Sequence, residues 1–169
     1  MVFAMVIFTV AIALLSIVWT SVVNQYATAY GGGVGDMQIQ LNNLMQNIQL
    51  SGYPYNWNTA MAANSVASWP NSTIGLGTGA PGQLSYSKIG SLEAMSNYDY
   101  QATKQLLGVG YDYYIVIYSL DGLNVTIGRN PFYNNATAIQ AETLPVVLSN
   151  GQPATVEAMV WTNTTFGVG

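Results

Sequence analysis

The chain contains 169 residues, of which 50% are apolar and only 6% are charged. This length suits a single domain of ordinary size, but soluble proteins usually contain about 25% charged residues. Three basic residues against seven acidic ones, with a formal charge of −4, exclude the basic patch that a nucleic-acid-binding protein needs. The absence of Cys and His excludes disulfides, thiolate catalysis, Ser–His dyads and ordinary zinc or copper sites. We therefore expect a structural protein at a membrane or outside the cell, with no catalytic residue, metal or cofactor.

Residues 1–23 are an apolar run without any charge, and the polar side chains within it are hydroxyls. A helix of this length reaches roughly 35 Å, which is enough to cross a hydrocarbon core of about 30 Å. The simplest interpretation is a single membrane anchor, because a cleavable secretory signal would need a basic start and a shorter apolar core. The first basic residue of the chain is Lys88, so the run lacks the flanking charge that usually orients a membrane helix. This pattern favours a processed protein from which a short basic leader was removed before Met1.

A second helical pattern follows a glycine-rich interruption. The glycines expected to act as a hinge are Gly31, Gly32, Gly33 and Gly35. Beyond them, apolar side chains recur at the spacing of one helix face, and we call these residues the stripe: Met37, Leu41, Leu44, Met45 and Ile48. Amide side chains fill the other face, and Ser51-Gly52 ends the pattern. We predict an N-terminal assembly or membrane helix over residues 1–50, with the hinge at 31–35, and a globular extracellular head over residues 51–169.

The head is predicted to contain two short helices, at 85–95 and 98–107, and four strands in sequential hairpins. The run 111–118 is rich in β-branched and aromatic residues, and Asp121-Gly122 predicts a two-residue hairpin turn after it. In that register Leu120 pairs with Leu123, Tyr118 with Val125 and Val116 with Ile127. Asn150-Gly151 predicts a second hairpin joining 144–148 to 154–162, with Val156, Ala158 and Val160 on one face. A sheet with one apolar face needs a cover, and the stripe is the expected one.

Two glycine-rich segments have only a superficial likeness to nucleotide-binding loops. The segment 31–35 lacks the following Lys-Ser/Thr and the preceding strand of a phosphate loop. In the second segment, residues 74–82, Gly77, Gly79 and Gly82 have the dinucleotide spacing, but residues 69–73 before it are not expected to form a buried strand and Pro81 interrupts the pattern. A surface loop is the expected structure there.

The layout resembles a type IV pilin, whose mature N-terminus is apolar from its first residue and runs into an amphipathic second half and a head with an antiparallel sheet. Three head segments are similar to pilin-like surface proteins of archaea: Gly52-Tyr53-Pro54-Tyr55-Asn56-Trp57, Ile74-Gly75-Leu76, and Leu106-Leu107-Gly108-Val109-Gly110-Tyr111-Asp112-Tyr113-Tyr114. Met5 stands where many bacterial pilins carry a glutamate, so the charge pairing of that glutamate is not expected here. Archaeal flagellins share the N-terminal pattern, but the helices predicted at 85–107 do not suit their β-sandwich heads.

This resemblance implies an α+β fold with a long N-terminal hydrophobic helix and a C-terminal head of short helices and an antiparallel β-sheet of about four strands. It implies the major pilin of an archaeal type IV pilus-like filament, a helical homopolymer serving adhesion. A prepilin peptidase would cut the precursor in the cytoplasmic membrane, and a pilus assembly platform would add the mature chain to the extracellular filament. The side chains expected in the filament core are Val2, Phe3, Val6, Ile7, Val10, Leu14, Leu15 and Val18. Two alternatives stay open: a minor pseudopilin of a secretion or uptake machine, and a surface glycoprotein with a single membrane anchor.

Four Asn-x-Ser/Thr sequons occur, at Asn71, Asn124, Asn135 and Asn163. Chance predicts roughly two such sites for this composition, so their positions say more than their number. Asn124 falls on the polar face of a predicted strand, and the others fall in loops or the tail. We expect N-glycosylation of at least one of them.

Two carboxylates invite an enzymatic interpretation. Asp99 and Asp112 could act as an acid–base pair in principle. Asp99, however, suits a helix start, and Asp112 suits a solvent-facing strand position. No catalytic role is therefore expected.

Overall fold

A computed structural model describes residues 33–60 and 72–164 of the chain. One compact unit spans Met37–Thr165. Residues 33–49 are helical and are called α1. The later elements are α2 (Trp57–Ala60), β1 (Gln83–Leu84), α3 (Tyr86–Tyr98), α4 (Tyr100–Leu106), β2 (Asp112–Ser119), β3 (Asn124–Gly128), a 3-10 helix (Pro131–Tyr133), β4 (Ala138–Leu148) and β5 (Pro153–Thr162).

The five strands form one mixed sheet in the order β1-β4-β5-β2-β3. Three neighbouring pairs are antiparallel, and β1 pairs with β4 in parallel. The last strand, β5, lies between β4 and β2, so the two hairpins join through β5. The expected sequential meander is therefore wrong: β3 is an edge strand and does not pair with β4.

The expected fold class, an α+β pilin-like fold with a long N-terminal hydrophobic helix and an antiparallel sheet of about four strands, is also wrong. The sheet has five strands and is mixed. No helix within residues 33–60 and 72–164 is long and apolar enough to cross a membrane. The described part of α1 is apolar on one face only, because Gln and Asn side chains occupy the other. The apolar run 1–23 lies outside the described residues.

The stripe is buried, as the sequence pattern predicts. Its five residues belong to one hydrophobic core with the inward-facing side chains of the sheet and of α3. The sheet supplies Tyr113, Ile115, Ile117, Ile127, Val156, Ala158 and Val160 to this core. Burying an apolar side chain of this size contributes about 1.5–3 kcal/mol, so the stripe is a large part of what holds the unit together.

The two predicted helices of the 85–107 region are confirmed, with boundaries shifted by a few residues. Asp99 starts α4 as expected, since its Oδ1 accepts a hydrogen bond from the backbone N–H of Ala102 at 3.0 Å. A carboxylate in this position satisfies a free N–H group and interacts favourably with the positive end of the helix.

The predicted register of the first hairpin is wrong by one residue. The structure pairs Ile117 with Val125 and Ile115 with Ile127, so β2 turns its odd-numbered side chains inward. The backbone N–H of Ser119 donates to the carbonyl of Leu123 at 3.0 Å, which leaves a three-residue loop. A two-residue turn of the predicted type needs positive φ at both central residues. Gly122 meets this requirement, with φ of 96°. Asp121, the other central residue, does not, because Asn135 is the sole non-glycine residue with positive φ in the described part of the chain.

The second hairpin uses the same loop. The backbone N–H of Leu148 donates to the carbonyl of Gln152 at 2.8 Å, and Gly151 has φ of 85°. Its inner face is confirmed, because Val156, Ala158 and Val160 are all buried. The strand before this turn begins at Ala138 rather than at 144.

The expected surface loop at the second glycine-rich segment is wrong for residues 74–77, which are buried. The backbone N–H groups of Leu76 and Gly77 donate to the carbonyls of Ile48 and Leu50 at 2.9 and 2.8 Å. These bonds satisfy carbonyls at the C-terminal end of α1 that have no partner within a helix. A side chain at Gly75 would collide with the carbonyl of Leu50. Glycine therefore serves close backbone packing here.

Candidate functional site

The residues predicted to form the filament core, Val2 to Val18, lie outside the described residues, as do Gly31, Gly32 and Asn71. Gly33 and Gly35 lie in α1. A Cβ added at Gly35 would meet no atom within 4 Å, so packing does not require a glycine there. The hinge and the filament core both stay predictions.

Three predicted glycosylation sites lie on exposed backbone. Asn124 begins the edge strand β3, and Asn163 directly follows β5. Asn135 follows the 3-10 helix and has φ of 52°. The segments that carry Asn135 and Asn163 adjoin, because Thr137 Oγ1 lies 3.1 Å from the carbonyl oxygens of Thr162 and Thr164 and can donate its one proton to either.

The outer face of the sheet, opposite the helices, is partly covered and partly open. Trp161 is only 1% exposed, and its Nε1 donates to the carbonyl of Arg129 at 2.9 Å. At the other end of the sheet the two hairpin turns are joined, since Gln152 Nε2 donates to Asp121 Oδ2 at 3.0 Å. Beside them an open groove of about 350 Å³ is lined mainly by Tyr118, Leu120, Pro145, Pro153 and Thr155. This groove is uncharged and largely apolar.

Sequence reasoning did not predict the exposure of Leu120, which was expected to pair with Leu123. Its side chain is 98% exposed at the first turn. The signal was available, because a three-residue loop ending in glycine is the next most common hairpin connection after the two-residue turns. A second unpredicted contact is that Gln40 Oε1 accepts from the backbone N–H of Gly110 at 2.7 Å. It ties the polar face of α1 to the loop before β2.

A cluster of titratable side chains lies between α4 and β2. Asp112 Oδ1 accepts from the Tyr100 hydroxyl at 2.9 Å and from Lys104 Nζ at 3.3 Å. Tyr100 stacks on Tyr113 with ring centroids 5.1 Å apart, and the Arg129 guanidinium lies 4.3 Å from the centre of the Tyr100 ring. Asp112 is therefore a partly buried tether, not the solvent-facing residue that was expected.

Burial raises the pH at which the two tyrosines of this cluster lose their protons. Desolvation raises the pKa of Tyr100 above its usual value, and it raises the pKa of Tyr113 to about 12. Both phenols are neutral at physiological pH, and Tyr113 is hydrogen-bonded to Ser96 at 3.0 Å. Asp99 and Asp112, the pair considered for acid–base chemistry, each have a separate structural partner. The cluster's evident effect is to hold α4 against β2.

Lys88 is the other notable charge. It is 4% exposed, and its Nζ donates to the carbonyls of Ser51 and Gly77 at 2.7 and 3.1 Å. The ammonium also lies 4.4 Å from the centre of the Tyr55 ring, and desolvation lowers its pKa. Lys88 lies in α3, Ser51 lies just beyond α1, and Gly77 ends the buried 74–77 segment. The hydrogen bonds of one ammonium group therefore hold these three parts of the unit together.

Metal binding has no support in the described residues, 33–60 and 72–164, where no group of three or more His, Cys, Asp or Glu side chains could hold an ion. The chain matches no family model, no curated protein and no solved structure.

Proposed function

We propose that the chain is the structural subunit of an extracellular, type IV pilus-like filament of an archaeal cell surface, and that residues 1–23 bring its copies together. The observation that carries the proposal is the contrast in polarity along the first 50 residues. Residues 1–23 contain no charge and no amide side chain, whereas residues 37–49 have one apolar and one polar face.

The compact unit supports this proposal because its core contains the stripe, so the apolar face of α1 is already covered and is not needed for contacts between copies. All five stripe residues are buried with the sheet and α3. A segment that is apolar on every face is typical of a helix surrounded on all sides. Lipid would surround residues 1–23 before assembly, and the same segments of other copies would surround them afterwards. Lipid already shields the segment, so only part of the gross burial energy drives assembly.

The scarcity of charge also suits a polymer of identical subunits. Every contact between copies repeats along a helical assembly, so like charges on a contacting surface repel in each subunit. The chain has ten charged residues in 169, and the open groove beside the hairpin turns is lined by uncharged side chains. Close packing of copies therefore brings few like charges together.

Electron microscopy of the cells, with and without the gene, tests the proposal. We expect surface filaments that disappear with the gene, and sheared filaments in which mass spectrometry finds this chain as the main protein. Unchanged filaments and a chain that stays in the membrane fraction would favour the singly anchored surface glycoprotein. A chain present in trace amounts and required for secretion or uptake would favour a minor pseudopilin.

A further inference from the structure

Residues 130–137 form a compact turn that connects β3 to β4, and we call it the aromatic turn. The backbone N–H of Ala136 donates to the carbonyl of Pro131 at 3.2 Å, and Asn130 Oδ1 accepts from the backbone N–H of Phe132 at 2.9 Å. A left-handed residue followed by such a bond is the usual end of a helical turn, and Asn tolerates this conformation. Asn135 occupies that position, with φ of 52°. The backbone of the turn is thus held by its own hydrogen bonds.

The aromatic turn exposes two neighbouring rings. Phe132 is 73% exposed and Tyr133 is 86% exposed. Within the described part of the chain, neither ring stacks on another ring or on a cation, and the Tyr133 hydroxyl makes no hydrogen bond. An exposed aromatic face that no other protein group covers is available to a ligand of matching polarity.

The same turn contains a sequon, Asn135-Ala136-Thr137. The Asn134 amide is used within the turn, because its Nδ2 donates to the carbonyl of Asn130 at 2.7 Å. The Asn135 side chain is exposed and has no hydrogen bond to the other described residues. The Cα atoms of Tyr133 and Asn135 are at most about 7 Å apart, so a sugar attached to Asn135 is within reach of the Tyr133 ring.

We propose that Asn135 carries an N-linked glycan whose first sugar packs on the rings of Tyr133 and Phe132. A sugar ring offers a face of C–H groups with partial positive charge, and an aromatic face is negative. The partner is therefore a carbohydrate attached to the chain itself. The proposal rests on the extracellular location in the proposed function, since the donor is a lipid-phosphate-linked oligosaccharide at a membrane.

In the modification, Asn135 Nδ2 forms a bond to the anomeric carbon of that oligosaccharide. The bond between this carbon and the phosphate oxygen breaks, and the lipid phosphate leaves with the electron pair. One amide proton passes to a base of the transferase. No redox reagent is required.

The sequon at Asn163 lacks this platform. Trp161 precedes Asn163 by two residues, as Tyr133 precedes Asn135, but it is buried and hydrogen-bonded to Arg129. Asn124 has no aromatic ring among the three residues before it; its cross-strand partner Tyr118 is only 42% exposed and lines the groove beside the hairpin turns, so it offers a less open ring than Tyr133.

The test combines glycopeptide mass spectrometry with thermal unfolding of protein purified from its own cells. The variants are Tyr133→Ala, Asn135→Asp and both together; Asp keeps the tolerance of positive φ and cannot be glycosylated. We expect a glycan on Asn135, and a loss of melting temperature on Tyr133→Ala that is about 3 °C larger with the glycan than in the Asn135→Asp background. Leu120→Ala, an equally exposed apolar residue, should change the melting temperature by the same amount in both backgrounds.

An unmodified Asn135 in the mature protein would overturn the proposal, and so would equal effects of Tyr133→Ala in the two backgrounds. Filaments without a glycan on Asn135 would reject this inference and leave the proposed function standing. A glycosylated chain that never enters filaments would do the reverse.

Discussion

The first 50 residues contain two apolar stretches that differ in one respect. In residues 37–48 the apolar side chains other than the exposed Ile39 share one face, and that face is buried in the compact unit. In residues 1–23 the sequence has no charged or amide side chain and its few polar side chains are hydroxyls, so the chain provides no strongly polar face for water. The first 50 residues therefore need not act as one element. The second stretch belongs to the core of the compact unit, and we propose that the first packs against lipid and then against other copies.

Replacing a buried leucine of the second stretch by aspartate should have the largest effect on folding. Leu44→Asp buries a carboxylate at a position that is fully buried in the core. The lost packing and the desolvated charge together cost more than about 4 kcal/mol, which is a large fraction of the roughly 5–15 kcal/mol by which a typical domain is stable. We expect loss of the cooperative thermal transition by circular dichroism. Asn43→Asp, on the exposed face of α1, should unfold like wild type, and equal behaviour of the two variants would refute the assignment of the stripe.

Burial of Tyr113 in the core should make the free energy of unfolding depend on pH in the alkaline range. Burial raises the pKa of Tyr113 to about 12 from its ordinary value of 10, so the folded state keeps a proton that the unfolded state loses. The stabilisation is complete below pH 10 and is lost as the pH rises from 10 to 12. The free energy of unfolding of wild type should fall over this range by roughly 2–3 kcal/mol more than that of Tyr113→Phe. Urea unfolding at several pH values measures this, and parallel curves would contradict it.

The end of the second stretch depends on close backbone packing. Gly75→Ala places a Cβ against the Leu50 carbonyl, and such overpacking costs about 1–3 kcal/mol. Gly90→Ala in α3 is the matched control, because a Cβ there meets no atom within 4 Å and alanine favours a helix by about 1 kcal/mol. We expect opposite shifts of the urea midpoint. A Gly75→Ala variant as stable as Gly90→Ala would mean that the 74–77 segment does not pack closely against the C-terminal end of α1.

Several parts of this fold follow from local pattern, and others depend on distant residues. The stripe, the helices of the 85–107 region and the inner face of β5 follow from periodicity. The hairpin register does not, because Asp121-Gly122 suits both a two-residue and a three-residue loop, and a shift of one residue exchanges the faces of β2. The place of β5 between β2 and β4, and the parallel pairing of β1, need tertiary contacts that no local pattern contains.

The candidate sites were predictable to a similar degree. The sequons and the apolar run are visible as motifs, but nothing local shows that Tyr133 is exposed and Trp161 is buried. The difference depends on a residue distant in sequence, because the Trp161 indole donates a hydrogen bond to the Arg129 carbonyl and is 1% exposed. Likewise, Asp112 looks like a solvent-facing strand residue until Tyr100 and Lys104 are brought to it from α4.

The junction between the two stretches gives the smallest expected effect. Gly35→Ala adds a methyl group without a clash and should stabilise the helix by about 1 kcal/mol. If the glycines act as a hinge, filaments of this variant should be measurably stiffer in electron micrographs, whereas filaments of Gly90→Ala should bend like wild type. Equal flexibility in both variants would contradict the hinge.

The most direct test of the central claim is Leu14→Asp, examined for both folding and assembly. Leu14 lies in the middle of the apolar run, where translocon scales put the cost of a carboxylate at about 3 kcal/mol in one helix. In a polymer the same charge also faces like charges from its neighbours. Thr126→Asp, on the exposed outer side of β3, is the matched control. We predict no filaments from Leu14→Asp, a thermal transition of the compact unit unchanged from wild type, and normal filaments from Thr126→Asp. Normal assembly of Leu14→Asp would show that residues 1–23 are not the packed core of a polymer.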